Sequence, residues 1–508
     1  MISKVRTVAF MGMKPTEVTV EAQISPGLAS FCIVGLPDKT VGEAKERIRS
    51  AFFQLGIGFP AKKVVINMAP ADIPKGGSHY DLPIALAVLG AMEIIDVSLL
   101  ENSIVIGELG LDGSLPYVSG TICAAMLANE NNFSIICSKQ CENEAAWSGN
   151  NSIIAAPSII SLLNHLNGTS QISSSTIKSD CAKHENYSID MQDVYGQLLA
   201  KRALEIAASG GHNVLMIGPP GSGKSMLASR MQTILPYLSP DEALETTCIY
   251  SLAGMLPKEG LIYQPPYREP HHSASLISIV GGGTDAKPGE ISLAHNGILF
   301  LDELPEFQRS TIESLRQPLE TNCITISRAK EHITYPANIQ LIAAMNPCKC
   351  GFYGDINRQC SKAPKCAQEY QNRISGPILD RFDIVIYVNS IKVSELLEQE
   401  SREDSATIRK RVEMTRFIQQ KRAEENNVLN SYLNAKAASK YLQEVTRLDN
   451  ESKIFFQKAI EHSNLSARGC HKILRVARTI ADMNSSEKIM KAHISEAMQY
   501  RLLNLNTV

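Results

Sequence analysis

The sequence predicts a multidomain α/β protein: an N-terminal α/β domain, a second α/β domain and a helical C-terminal domain. Three observations predict it. Strand-like and helix-like patterns alternate through the first 166 residues. A stretch rich in Ser, Thr and Asn, NGTSQISSSTIKSDCAKHENYS, then breaks them. Beyond about Ser390 the chain is helical throughout, with charged faces and almost no proline. At 508 residues the chain is too long for one compact core.

Taken in order, residues 20–36 and 62–70 read as strands, and residues 40–57 and 79–95 as helices. Leu111-Asp112-Gly113 marks a tight turn. The polar stretch has little to bury, so it reads as a linker. The expected domains are therefore 1–166, a linker at 167–189, 190–390 and 391–508.

Hydrophobic residues at 44% and charged residues at 20% suit buried cores and exclude a globally disordered chain. No run approaches the roughly 20 apolar residues of a membrane helix. The start, MISKVRTVAF, has no apolar stretch of signal-peptide length. The expected location is the cytoplasm, with no membrane partner. With 50 Lys plus Arg against 52 Asp plus Glu, the net charge of −2 excludes a polybasic scaffold but leaves room for a local basic channel. Residues 391–508 carry 20 basic and 15 acidic residues, which leaves 30 against 37 for the rest. Twelve cysteines are too few for a disulfide scaffold. Cys32, Cys123, Cys137, Cys248 and Cys323 sit among apolar neighbours and read as small buried hydrophobes.

The strongest signal is NVLMIGPPGSGKSMLASRM, residues 213–231. An apolar strand, Val214 to Ile217, runs into Gly218-Pro219-Pro220-Gly221-Ser222-Gly223-Lys224-Ser225 and then into an amphipathic helix. The backbone N–H groups of such a loop wrap a β-phosphate, and the helix start adds positive potential. Lys224 suits the β and γ oxygens and the Ser225 hydroxyl suits Mg²⁺, so ATP and Mg²⁺ are the expected cofactors. Downstream, Ile298 to Leu301 end in Asp302-Glu303. A buried strand ending in two carboxylates offers one acid for Mg²⁺, assigned to Asp302, and one to polarise water, assigned to Glu303. A third apolar strand, NIQLIAAMNP, closes on Asn346, which either orients the lytic water or starts a turn before Pro347. Arg373 and Arg381 precede the next apolar strand. Either could act as an arginine finger on a neighbouring subunit's γ-phosphate, or lie on the surface as an ordinary charge.

The order GPPGSGKS, LFLDE, AAMNP, LDRFD resembles AAA+ ATPases of the helix-2-insert group, which includes magnesium-chelatase ATPase subunits and minichromosome-maintenance helicases. EPHHSAS, VGGGTDAKPGEISLAHNGILFLDELPEF and RISGPILDRFD resemble the ComM/YifB family of competence proteins, and the resemblance runs over essentially the whole chain. It implies Walker A at Lys224 and Ser225, Walker B at Asp302 and Glu303, and sensor 1 at Asn346. It implies an arginine finger at Arg381 and a sensor 2 arginine at Arg468, in LSARGCHKILRVARTIAD. VYGQLLAKRALEIA (194–207) matches the segment beside the adenine. The family implies a homohexameric ring with ATP sites at subunit junctions, an AAA+ core over 190–390 and a helical lid over 391–508.

Residues 1–166 resemble the Lon-protease-like domain, an α/β fold related to ribosomal protein S5. A Lon protease needs a serine activated by a lysine. In KGGSHYDLPIALAVL the serine's place is taken by His79, with Ser78 one residue earlier. In LPYVSGTICAAML the lysine's place is held by Ile122, and no lysine lies between Lys75 and Lys139. The expected role is a non-proteolytic interaction or ring-forming module, with His79 and Asp81 as structural residues at a helix start.

ETNCITISRAKEHITYPANIQLIAA holds two strand-like runs in which Ile324, Ile326, Ile333 and Tyr335 flank Arg328 and Lys330. The resemblance matches Lys330 to a channel lysine, with Arg328 beside it; an ordinary solvated turn is the alternative. Cations at a hairpin tip contact phosphate without reading sequence, and sixfold repetition would build a basic collar. His271 and His272 are adjacent, and neighbours in a strand face opposite ways, so a structural or insert-loop role is expected there rather than a metal. Gly281 to Gly283 read as a flexible loop. Cys348, Cys350, Cys360 and Cys366 crowd into 19 residues. They suit either a structural Zn²⁺ staple or free thiols, and Cys366 fits the ComM spacing least.

These readings predict an ATP-driven hexameric DNA motor, a branch-migration helicase promoting recombination during uptake of transforming DNA. Its partners would be single-stranded or branched DNA and recombination proteins. The alternative is a chelatase-type ATPase chaperone that remodels a protein partner. The N-terminal domain, absent from ordinary chelatase subunits, and the hairpin cations weigh against it.

Overall fold

In the computed structural model, residues 2–150, 152–173, 187–257, 260–283, 286–327, 332–353, 360–390, 402–428, 432–463 and 466–501 are described. Period-two burial builds the first sheet. Strand β2 (Lys14–Ser25) buries Val18, Val20 and Ala22 and turns the residues between them outward. It pairs antiparallel with β1 (Ile2–Met11) and with β4 (Lys63–Ala69). With β3 (Ser30–Val34), β5 (Ser103–Val105), β6 (Ser134–Ser138) and β7 (Ile153–Ala156) they form a mixed sheet in the order β3-β4-β2-β1-β5-β6-β7. The helix Lys39–Gln54 starts at Asp38, whose carboxylate accepts from the Val41 amide at 2.7 Å. It buries Val41, Ala44, Ile48, Ala51 and Phe52, one face at helical spacing. The helix Asp81–Ala91 is buried along nearly its whole length. Strand β1 is an addition to the expected elements. Cys32 differs from expectation: on edge strand β3 the alternation turns Phe31 inward and Cys32 to solvent. Cys323 is half-buried, whereas Cys123, Cys137 and Cys248 are buried as expected.

The second sheet is parallel throughout. Its strands are β8 (Val214–Ile217), β9 (Tyr267–Arg268), β12 (Ile298–Leu301), β15 (Gln340–Met345) and β16 (Ile384–Tyr387), in the order β16-β8-β15-β12-β9. Both faces are covered, which is why β8, β12 and β15 are fully buried, nearly continuous apolar runs. One face packs on the helices Leu198–Gly210, Ser405–Glu425 and Ala467–Met483. The other packs on two short antiparallel pairs and their flanking helices. The pairs are β10 (Gly281–Gly282) with β11 (Lys287–Pro288), and β13 (Cys323–Ser327) with β14 (His332–Pro336). Gly281 and Gly282 are thus ladder residues rather than part of an open loop. A Cβ at Gly281 would lie 2.6 Å from the Lys287 carbonyl oxygen. Ile324, Ile326, Ile333 and Tyr335 are all buried on the inner face of their hairpin, as their alternation predicts.

Within the expected linker, the described residues 167–173 and 187–189 hold no helix or strand. Among the described residues of 402–501 every regular element is helical. No helix of the described residues is long and apolar enough to cross a membrane. The first sheet's helices meet the second unit through Ile122, Cys123 and Cys248, packed with Met126, Trp147 and Leu252. Glu144 closes this junction, accepting from the Ile122 amide at 3.0 Å and from the Ser251 hydroxyl. Burial pushes its carboxyl above the usual range.

One buried ion pair ties the helical region to the second sheet. Lys472 Nζ, on helix Ala467–Met483, lies 3.1 Å from Asp383 Oδ1 and donates to the Phe382 carbonyl at 2.9 Å. His212, just before β8, places Nδ1 3.5 Å from Asp383 Oδ2 and Nε2 2.8 Å from Thr479 Oγ1. Burial alone would raise the Asp383 carboxyl, but Lys472 and His212 outweigh it and hold the group well below the usual carboxylate range. Asp383→Asn leaves Lys472 buried without its counter-charge, at an expected cost of about 3–5 kcal/mol, readable as a lowered urea midpoint at pH 7. Because the folded-state value is depressed, the wild-type contribution is present above pH about 4 and is lost as the pH falls below it. The gap between the wild-type and D383N midpoints should therefore narrow in acid.

Candidate nucleotide-binding site

Glycine at two positions lets the loop after β8 close on itself. Gly223 has φ of +89° at the start of helix Lys224–Ile234. A Cβ at Gly218 would lie 2.2 Å from the Val388 carbonyl oxygen. The loop therefore threads past the chain that follows β16, and its N–H groups gather at a helix N-terminus, a site built for phosphate. Lys224 is buried over this loop. Its Nζ donates to the carbonyls of Gly218 and Pro219 at 2.8 and 2.9 Å and reaches Asn346 Oδ1 at 3.3 Å. Burial lowers its pKa against the opposing pull of Asp302 and Glu303. The side chains expected from three separate strands thus converge: Lys224 after β8, Asp302 and Glu303 after β12, and Asn346 after β15.

Ser225 Oγ donates to Asp302 Oδ2 at 2.7 Å, the hydroxyl and carboxylate placed together as a shared Mg²⁺ site requires. Asp302 Oδ1 accepts from the Glu303 amide at 2.9 Å, and Glu303 itself has φ of +51°. A left-handed backbone at a residue with a Cβ is uncommon, and such strain gathers at active sites. Two further residues join the acidic end. Glu269 is raised above the usual range by burial and then by Asp302. His272 brings Nδ1 to 3.7 Å from Glu303 Oε2. The His271 and His272 rings lie 4.1 Å apart on one side, because the chain turns there and is not an extended strand. Sequence periodicity hid this contact; the alternation argument applied to a strand that ends at Arg268. Gln197, in the segment matched to the adenine side, donates to the carbonyls of Ser222 (3.3 Å) and Asn389 (2.6 Å).

The two remaining arginines lie elsewhere. Arg381 Nη2 donates to Glu320, and Arg468 Nη2 lies 3.5 Å from the same carboxylate oxygen. Both line a cavity of about 320 Å³ whose wall includes Gly211 and Asn213, the residues that precede β8. The phosphate loop follows β8, so arginines and phosphate loop stand at opposite ends of a four-residue strand, roughly 13 Å long. Arg381, read from sequence as a finger or a surface charge, is only 8% exposed. Arg373 instead pairs with Glu306 at 3.0 Å. Arg328 and Lys330 lie outside the described residues.

Among the described residues, one group of His, Cys, Asp or Glu side chains is close enough to hold a metal ion. The ligand atoms of Cys348, Cys350, Cys360 and Cys366 all lie within 4.8 Å of one another, with Cys366 inside the group. A tetrahedral Zn²⁺ with bonds of about 2.3 Å sets its sulfurs about 3.8 Å apart, so the four thiols fit that ion with small adjustments. The Phe352 amide and the Cys348 thiol pull Cys350 down to about 7, toward the thiolate a metal binds. The cluster begins two residues after Asn346, and a Cβ at Gly351 would lie 2.6 Å from Pro220 Cδ. The knuckle thus buttresses the phosphate loop.

At the fused N-terminal sheet, the Ser78 hydroxyl donates to the Glu108 carboxylate, while the Lys75 amine donates to the Pro70 carbonyl. His79 is buried, lies 2.9 Å from the Val8 carbonyl oxygen through Nε2, and is pushed down to about 4 by burial. Asp81 is fully buried and receives Arg47 at 2.6 Å. Ile122 is fully buried in the lysine's expected place.

Three family models match the chain. Residues 190–396 match "Magnesium chelatase, subunit ChlI", residues 402–501 match its C-terminal part, and residues 20–140 match "Subunit ChlI of Mg-chelatase". The N-terminal match carries the chelatase subunit's name too, so that segment alone does not separate a motor from a chelatase. The chain is 42% identical to the competence protein ComM of Haemophilus influenzae, over 97% of this chain and 96% of that one. It is 43% identical to the YifB protein of Escherichia coli, over 99% and 97%. A more distant likeness, 24% over 43% of this chain and 26% of the other, is to the DNA replication licensing factor Mcm6 of Drosophila melanogaster. The full-length identities and the match over 190–396 coincide with the strands that carry Lys224, Asp302 and Asn346, and the chain belongs to the ComM/YifB family of magnesium chelatase-like AAA+ ATPases.

Proposed function

We propose that the protein is a cytoplasmic ATP-hydrolysing DNA motor that works as a homohexameric ring and drives branch migration in recombination, during uptake of transforming DNA. The observation that carries the ring is the separation of Lys224 from Arg381 and Arg468 across β8. Those arginines cannot serve the nucleotide of their own chain, but they can serve a neighbour's when subunits stack head to tail. Arg381 is then the finger and Arg468 the sensor 2 arginine, and both act across the junction. This reading keeps residues 1–166 as a non-proteolytic Lon-like module, 190–390 as the AAA+ core and 391–508 as the lid.

In this mechanism residues 218–223 wrap the phosphates through their amides. Lys224 leaves its loop carbonyls for the β and γ oxygens; Ser225 and Asp302 would hold Mg²⁺, which would supply charge neutralisation to the phosphates. Asn346 orients the water and Glu303 takes its proton as the oxygen attacks the γ-phosphorus and the bond to ADP breaks. Arg328 and Lys330 hand the movement to DNA through phosphate contacts. Cys348, Cys350, Cys360 and Cys366 would hold a structural Zn²⁺ behind the phosphate loop.

Full-length likeness to a competence protein and the distant likeness to a replication licensing factor support DNA as the substrate. The chelatase-named family matches support the second reading, an ATPase chaperone acting on a protein partner. Binding and movement of three- and four-stranded DNA junctions by wild type and Lys330→Ala separates them. The motor reading expects ATP-dependent junction movement that K330A loses by about tenfold or more while still hydrolysing ATP. A wild type that hydrolyses ATP but neither binds nor moves any junction rejects it.

Two further outcomes test the site. Lys224→Ala and Arg381→Ala should each lower kcat by about 10³. Mixing the two variants should restore activity, because some junctions then pair an intact Lys224 with an intact Arg381. Recovery fails if both residues serve one chain's own nucleotide. Elemental analysis of the purified chain should find about one zinc per chain, lost in Cys360→Ser together with part of the thermal stability.

A further inference from the structure

Arg381 and Arg468 converge on one carboxylate. Both reach Glu320 Oε1, Arg381 by a hydrogen bond from Nη2 and Arg468 at 3.5 Å. Glu320 lies on the short helix Arg316–Thr321, and the chain enters β13 only three residues later, at Cys323. One side chain therefore touches both guanidiniums and stands at the base of the hairpin whose sequence carries Arg328 and Lys330.

The rest of the cavity is short of negative charge. Arg475 gives Nη2 to the Ala437 carbonyl at 2.7 Å, and its buried Nε has no hydrogen-bond partner. Lys436 donates to the Asn322 and Asn338 side-chain oxygens, and burial pulls its pKa down to about 8. The other two acids on the wall are engaged, Asp383 with Lys472 and Asp380 with Arg501. Glu320 thus shares the wall with Arg381, Arg468, Arg475 and Lys436 and contacts the first two, and its side chain is 51% exposed while that of Arg381 is 8% exposed. The buried Arg381 Nε is also without a hydrogen-bond partner. Such a wall is built for an anion with more oxygens than one carboxylate supplies.

We propose that Glu320 is a positioning residue that stands in for phosphate, holding Arg381 and Arg468 until the phosphates of a neighbouring subunit's nucleotide draw them away. The proposal rests on the ring reading above. A half-exposed carboxylate shared by two guanidiniums is a weak partner for each. A nucleotide's terminal phosphate offers more charge and a bidentate fit to each fork, so it wins the exchange. On release Glu320 loses both guanidiniums, and helix Arg316–Thr321 is freed to move together with the base of β13–β14. ATP binding on one subunit is thereby reported to the DNA-facing hairpin of the next.

The test is steady-state ATP hydrolysis by the full-length chain, with and without junction DNA, for wild type, Glu320→Gln, Glu320→Asp and Arg381→Ala. Without the competing carboxylate, E320Q should lower KM for ATP by about threefold or more, the scale of exposed ion pairs. It should change kcat by less than it changes KM, and should flatten the stimulation by DNA. E320D keeps the charge and should restore both KM and stimulation toward wild type. The proposal is overturned if E320Q raises KM, if it lowers kcat as R381A does, or if KM and the DNA response match wild type. An R381A variant that hydrolyses ATP normally rejects the ring reading itself. An inactive R381A beside an unaltered E320Q rejects only the role of Glu320.

Discussion

Asp383 sets the geometry on which the arginine half of the site depends. It follows Arg381 by two residues, and its ion-pair partner Lys472 follows Arg468 by four. Residues four apart on a helix share a face, so the Lys472 contact that anchors helix Ala467–Met483 also aims Arg468. His212, at the entrance to β8, holds the other Asp383 oxygen. A single buried carboxylate therefore registers the starts of two neighbouring strands, β16 and β8, and the first turns of the packed helix. Buried ion pairs contribute little net stability relative to apolar packing of the same volume, so the value of this one is positional. Without it the elements that carry the two arginines would be joined here mainly by the Lys472 bond to the Phe382 carbonyl and the shared Glu320 carboxylate.

The phosphate loop is constrained in a complementary way, by close approach rather than by charge. Gly218 passes the Val388 carbonyl so tightly that no side chain fits, and Gly351 does the same against Pro220. The loop is wedged between the exit of β16 and the cysteine knuckle that follows Asn346. A metal staple in that knuckle would stiffen a wall of the nucleotide site without touching the nucleotide, which accounts for cysteines so near a hydrolytic centre that has no use for redox chemistry. Pre-organisation of this kind is what phosphoryl transfer draws on, since its transition state asks mainly for fixed charges at fixed places.

Much of this was legible in the sequence because parallel strands buried on both faces leave continuous apolar runs, and each run here leads to a chemically distinctive residue: β8 through its glycine loop to Lys224, β12 directly to Asp302 and β15 directly to Asn346. The β13–β14 hairpin was legible for the opposite reason, a clean alternation of Ile and Tyr with polar residues. Contacts between elements were not. Glu320 meets its arginines across 61 and 148 residues, and nothing in its own helix marks it. The side-by-side rings of His271 and His272 were missed because strand periodicity was extended past the strand's end, and Cys32 was misjudged because apolar neighbours do not reveal which side of an edge strand faces water. Strand direction was the largest omission. The parallel pairing of β16 with β8 shows that Arg381, just before β16, and the phosphate loop, just after β8, stand at opposite ends of β8.

That opposition gives meaning to a net charge near zero. One end of the second sheet gathers Asp302, Glu303 and Glu269, and bound nucleotide adds its phosphates there. The other end gathers Arg381, Arg468, Arg475 and Lys436 along one cavity, the first two sharing the Glu320 carboxylate. In the ring reading, this polarity would favour head-to-tail contact over contact between like poles, with Lys224 at the acidic end reserved for the nucleotide. Head-to-tail contacts are heterologous, and they close into rings when the rotation per subunit permits. Nucleotide strengthens the acidic pole at the point the cationic pole must meet, so in the ring reading ATP is part of the interface as well as the fuel. In the proposed reading, the same logic would let a protein of balanced composition grip a polyanion. Its cations need not outnumber its acids; they need only be segregated by the fold and multiplied by assembly.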